Sequence, residues 1–166
     1  FFAAWLPTLL QNKGITPEHT GYITFAFQLM TIPASFLIPS IAVRLKNQKG
    51  LISIVSAVYG LSIALLYLAE TGTLATVAVM LCGLSTGSCF SLCMLLISLK
   101  TRSADRATSL SGMVQSLGYG FGALGPILGG WLLDWTGGWS AALLCAAALT
   151  LVIFVSGRKA GENEFI

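Results

Sequence analysis

Charge is scarce in this chain, and where it occurs it is bunched. Nine Lys and Arg and six Asp and Glu amount to 9% of the 166 residues, against roughly a quarter in an ordinary soluble domain. With 55% hydrophobic residues and a mean hydropathy of +0.84, too little polar sequence is left to clothe a water-facing surface. Histidine is reduced to His19 alone, in an outward loop half a bilayer from Ser85, so it is not expected to complete a catalytic triad. The four cysteines give no disulfide framework, because Cys82, Cys89 and Cys93 share one apolar run and Cys145 sits in another. Cys89 and Cys93, one helical turn apart, lack the further ligands a soft metal needs, so neither metal nor cofactor is expected. The string Gly83-Leu84-Ser85-Thr86-Gly87 matches the nucleophile-elbow pattern but lacks the strand-to-helix turn and the His and acid partners, and no enzyme is expected.

What the sequence has instead is a succession of uncharged runs. All but Glu70 and Asp134 of the charges gather near 12–19, 44–50, 100–106 and 158–164, and the stretches between them read as membrane spans of an all-α, polytopic transmembrane bundle. The expected spans cover about 1–11, 17–43, 51–69, 74–99, 107–133 and 139–156, with a polar tail over 158–166 expected to protrude. The first run makes only about 16 Å of helix, roughly half the hydrocarbon thickness, so it is expected to be a truncated span that continues upstream. No basic region precedes it, which does not fit a signal peptide. Thr16-Pro17-Glu18 reads as a helix start, with Thr16 as cap, Pro17 at the first position and Glu18 on the positive dipole end. Pro33 and Pro39 each remove a backbone donor and predict a kinked second span.

The net charge of +3 is distributed for orientation in a bilayer rather than for nucleic acid. Arg44, Lys46, Lys49, Lys100, Arg102, Arg106, Arg158 and Lys159 fall on one side and Lys13 on the other, which places the basic side and the carboxy terminus in the cytoplasm. Trp131, Trp135 and Trp139 surround the turn on the opposite side, where amphipathic rings favour the headgroup level. No Asp, Glu, Lys or Arg lies in the middle of a span. Such groups mark ion pathways and proton relays, so the group that would carry a coupling proton must lie outside this stretch.

Within the spans, small and polar residues form stripes. Ser111, Gln115, Gly118, Gly122, Gly125 and Gly129 recur every three or four residues and share one helix face. Such a face lets another helix approach closely, so the fifth span is expected to pack, or slide, along its length. Cys82, Thr86, Cys89 and Cys93 make a second stripe beside Gly83 and Gly87, also read as packing. Gln115 and Gln28 carry amides that are costly to leave unpaired in hydrocarbon. Each reads either as an interhelical hydrogen bond or as a solute contact, and Tyr119, one turn from Gln115, either as a packed ring or as a wall of the same path.

Leu110-Ser111-Gly112-Met113-Val114-Gln115-Ser116-Leu117-Gly118-Tyr119, then Ala123-Leu124-Gly125-Pro126 and Asp134-Trp135-Thr136-Gly137-Gly138-Trp139, resemble the eleventh-helix region of the cyanate and nitroimidazole permease branch of the major facilitator superfamily. Trp5-Leu6-Pro7-Thr8 and Gly14-Ile15-Thr16-Pro17-Glu18 resemble the end of the seventh helix and the loop after it, and the likeness extends over essentially the whole chain. Ala42-Val43-Arg44-Leu45-Lys46 keeps the bases of the superfamily's loop motif without its acid. The resemblance implies the carboxy-terminal six-helix half of a twelve-helix transporter in a bacterial plasma membrane, completed by an amino-terminal half and working by alternating access on a small organic solute or anion. It also implies that Trp5, Gln28 and Gln115 line the path. Gly83, Gly87, Gly118, Gly122, Gly125, Pro126 and Gly129 are the packing or gating positions on this reading. The competing reading is a membrane scaffold whose glycine faces bind another membrane protein.

Overall fold

The computed structural model describes residues 1–162, and the end of the expected tail, 163–166, lies outside them. Six α-helices follow one another: α1 (Phe2–Asn12), α2 (Pro17–Ala42), α3 (Lys49–Leu68), α4 (Gly72–Lys100), α5 (Ala104–Thr136) and α6 (Ser140–Ala160). Every element among the described residues is helical, because backbone groups placed in lipid must be satisfied within their own segment. α2, α3, α4 and α6 are each long and apolar enough to cross a bilayer. α5 is the longest helix at 33 residues, yet its serines, glycines and Gln115 dilute its apolar content. The chain is a polytopic transmembrane helix bundle.

Short turns reverse the chain between helices, so the basic residues collect at one end. Lys49 Nζ lies 2.9 Å from Glu162 Oε1, Lys100 Nζ donates to the Glu162 carbonyl, and Arg158 donates to Ser53 Oγ at 3.2 Å. These contacts join the start of α3, the end of α4 and the end of α6. α6 runs on past Ser156 to Ala160, beyond the expected start of a loose tail. The reason is close packing: Gly157 faces the Ile52 side chain and Gly161 the Lys49 backbone, with too little room for a methyl group at either glycine. At the opposite end Lys13 donates to the Ala69 carbonyl at 2.8 Å and the Tyr67 carbonyl at 3.3 Å, capping the negative end of α3.

The main core lies toward that opposite end and takes in the short α1. Leu6, Leu9 and Leu10 are fully buried among Ile23 and Phe27 of α2, Ile63 and Leu66 of α3, Ala75, Ala78 and Val79 of α4, and Ala142 and Leu143 of α6. A smaller cluster of Ala42, Ile52, Val55 and Leu92 closes the basic end. α2 and α4 run in the same direction and cross at Gly83 and Gly87. A methyl at Gly83 would strike the Phe27 carbonyl, and one at Gly87 would lie 2.5 Å from that of Thr31. The glycines therefore set how near the two backbones come.

Two local expectations need correction. Thr16 occupies the cap position of α2 with Pro17 behind it and Glu18 in the first turn, but its hydroxyl makes no cap bond and pairs instead with His19 Nδ1 at 2.8 Å. Trp131 and Trp135 stack on each other, exposed, with centroids 5.6 Å apart, whereas Trp139 is only 7% exposed and packs on Phe1 and Trp5. It is a core residue, drawn in by rings of α1 that a single apolar run could not announce. α2 is unbroken through Pro33 and Pro39, with the hydroxyls of Thr31, Ser35 and Ser40 bonded to carbonyls of the preceding turn.

Candidate functional site

α5 starts at Ser103, whose hydroxyl accepts from Arg106 N, and stops at Gly137, which takes the left-handed conformation (φ 68°) that glycine adopts without penalty. Between these ends the helix is held on one side only. Gly125 meets the Phe1 backbone, Gly129 the Phe1 and Trp5 rings, and Gly130 the Trp5 ring, while Gly112, Gly118, Gly120 and Gly122 have no neighbour within 4 Å. The stripe expected to pack along its length is thus packed in the half nearer Gly137 and open in the half nearer the basic end. Gly129 is the only residue of α5 that is buried.

Trp5 ties the packed half together. Its indole Nε1 donates to the Pro126 carbonyl at 2.8 Å, and its ring lies 5.5 Å from that of Trp139. Phe1, Phe2 and Tyr59 extend the same aromatic cluster. An indole satisfied on one edge and packed on its faces is rigid, so Trp5 forms a firm boundary between α1 and α5.

Gln115 belongs to the open half. Its Nε2 donates to Ser111 Oγ at 2.8 Å and approaches Met94 Sδ on α4 at 3.7 Å. Together with Ile97, Ser98, Thr108 and Gly112 these residues line a cleft of about 540 Å³ between α4 and α5. Tyr119 stands exposed one turn further on. Gln28 is exposed on α2 and shares no contact with Gln115. The structure therefore brings Gln115 together with Ser111, and Trp5 with Pro126 and Gly129, but does not gather Trp5, Gln28 and Gln115 into one constellation. Met94 was not legible in the sequence: a thioether in an apolar run resembles any other filler, and only the α4–α5 turn geometry pairs it with Gln115.

A second, larger cleft of about 800 Å³ opens at the other end between the starts of α2 and α4, lined among others by Lys13, Thr16, His19, Tyr22, Glu70 and Thr76. Burial pushes the Lys13 ammonium below its ordinary value, opposed by the neighbouring Glu70 carboxylate. Ser85, the centre of the elbow-like string, is buried in mid-helix on α4, a setting with no sharp turn to expose a nucleophile.

Comparison with known proteins places this geometry in a family. The model of the Major Facilitator Superfamily matches residues 1–160. The chain is 34% identical over 163 residues to the "Uncharacterized transporter YycB" of Bacillus subtilis (strain 168), covering 98% of this chain and 40% of that protein. It is 33% identical over 166 residues to the "2-nitroimidazole transporter" of Escherichia coli (strain K12), covering 98% of this chain and 41% of that protein. The chain thus spans about two-fifths of the length of these curated relatives. No solved structure matches it significantly.

Proposed function

This chain belongs to the major facilitator superfamily, and from that premise we propose that it forms the carboxy-terminal half of a transporter that moves a small organic solute or anion by alternating access. Its relatives are named as transporters, and one is named for a planar, polar heterocycle. On this reading an amino-terminal bundle faces α5, and the two bundles rock about a shared path. Phe1 already lies against Gly125, so an upstream continuation of α1 would run on along Gly122 and Gly118. The basic end with the carboxy terminus is cytoplasmic, by the excess of Lys and Arg there, in the plasma membrane of a bacterium. Any coupling proton is carried by a group outside these residues, since no Asp, Glu, Lys or Arg lies in the middle of a span.

One observation carries the proposal. The longest helix leaves Ser111 and Gln115 beside an open cleft, an arrangement that is costly in lipid unless protein, water or solute covers it. Uptake of radiolabelled 2-nitroimidazole into vesicles bearing the complete reading frame tests it. Replacing Gln115 by Ala at equal membrane abundance should raise the apparent KM about tenfold, about 1.4 kcal/mol. Unchanged uptake and KM would remove Gln115 from the path.

A further inference from the structure

The inference rests on the transport reading above and concerns what Gln115 asks of its solute. A glutamine amide offers two N–H donors on one atom and a carbonyl acceptor on the other. By shape the two ends are interchangeable, so their neighbours decide which points where. Here Nε2 lies 2.8 Å from Ser111 Oγ and 3.7 Å from Met94 Sδ. A thioether sulfur can accept a hydrogen bond but cannot donate one. Turning the amide over would set Oε1 against Met94 Sδ, two acceptors in contact with no hydrogen between them. The sulfur therefore fixes the nitrogen on the α4 side, and both N–H groups are spent on Ser111 and Met94.

Oε1 remains. It takes no hydrogen bond from any described residue and is not among the buried side-chain oxygens, while the side chain that bears it lines the cleft of about 540 Å³ between α4 and α5. We propose that Ser111 and Met94 lock Gln115 so that its amide presents an acceptor and not a donor to the cleft, and that the site selects solutes bearing a hydrogen-bond donor, such as a ring N–H or a phenolic O–H. A solute of the same shape without that hydrogen would strip water from Oε1 and return nothing. Sites built on a specific polar contact reject such analogues far more strongly than apolar pockets reject a change of one methylene.

The probes are 2-nitroimidazole, which carries a ring N–H, and 1-methyl-2-nitroimidazole, in which a methyl group replaces that hydrogen. Uptake into vesicles bearing the complete reading frame should favour the N–H compound at least tenfold in kcat/KM. A methyl group also adds bulk, so the deciding comparison is Met94→Leu, which keeps an apolar side chain of similar volume and removes the acceptor that fixes the amide. The preference should fall to within about threefold in Met94→Leu, read as the ratio of kcat/KM for the two compounds. Ser111→Ala should relax it in the same direction, a second route to the result if Met94→Leu is poorly inserted. Equal uptake of both compounds by the unaltered protein would overturn the inference and leave the transport reading standing. A preference that survives both substitutions would make it steric and overturn the inference equally. Uptake of neither compound would remove the inference together with the solute class on which it rests.

Discussion

At the scale of single residues, glycine has two separate uses in this chain, and the sequence alone did not distinguish them. Gly83 and Gly87 are pressed against the α2 backbone, while Gly118 and Gly122 face open space, although all four sit in similar small-residue stripes. Gly83→Val should therefore break the α2–α4 crossing, destabilising the bundle by about 3 kcal/mol or more by overpacking against backbone that cannot move aside. Gly118→Ala should leave the fold of this chain intact. Thermal unfolding in detergent, followed by helical signal, checks the pair: an unchanged Tm for Gly83→Val would mean that α2 and α4 do not meet there. Gly118→Ala becomes informative in the complete transporter, where a loss of stability or of uptake would mark the close approach of the upstream part of α1. Gln115 was legible as a polar residue in an apolar helix, because an amide at that depth requires a reason. Its partner Met94 was not, since thioethers fill gaps in any core.

At the scale of elements, the helices were read from the uncharged runs because hydrophobic length is the dominant signal in a bilayer. Their ends were read less well. α6 carries Arg158 and Lys159 inside its last turn, where charge suggested a tail. The helix continues because Gly157 and Gly161 let it lie against Ile52 and Lys49, and because Glu162 reaches Lys49 and Lys100. The Lys49 ammonium, by hydrogen bond and then by charge, holds the Glu162 carboxyl below the usual carboxylate range. A carboxyl whose folded value is depressed stabilises above its unfolded value, and that contribution is lost as pH falls through the folded one. Amide exchange over 157–161, corrected for intrinsic rate, should rise on acidification below the normal carboxylate range, and in Glu162→Gln at neutral pH. Equal exchange in the variant and the parent would show that the glycine contacts alone hold the helix end. The pair is solvent-exposed, so high salt should weaken it in the same sense.

At the scale of the whole molecule, the bundle has a firm side and an open side. α4 packs against α2 and α3, and α3 against α6, with the leucines of α1 fully buried beside them, while α5 is attached through Phe1, Trp5 and a few contacts to α4 and α6. The antiparallel order and the segregation of basic residues were legible because each turn is too short to recross a membrane. The burial of the α1 leucines was not legible, because an apolar run of eleven residues does not show which of its side chains face other helices rather than lipid. Orientation is checked by impermeant amine labelling of intact cells: Lys46 and Lys100 should react only after the membrane is opened. Reaction from outside would invert the assignment of the basic end.

The thin apolar cover of α5 also bears on how the protein is made. A segment interrupted by glycine, serine and glutamine partitions weakly from the translocon into lipid when it emerges alone. α6 follows after only a three-residue turn, 137–139, and is strongly apolar. Membrane integration of α5 should therefore depend on α6: ribosome-bound chains in which a polar linker long enough to span the ribosomal tunnel replaces α6 should hold α5 at the exit of the channel rather than release it to the bilayer.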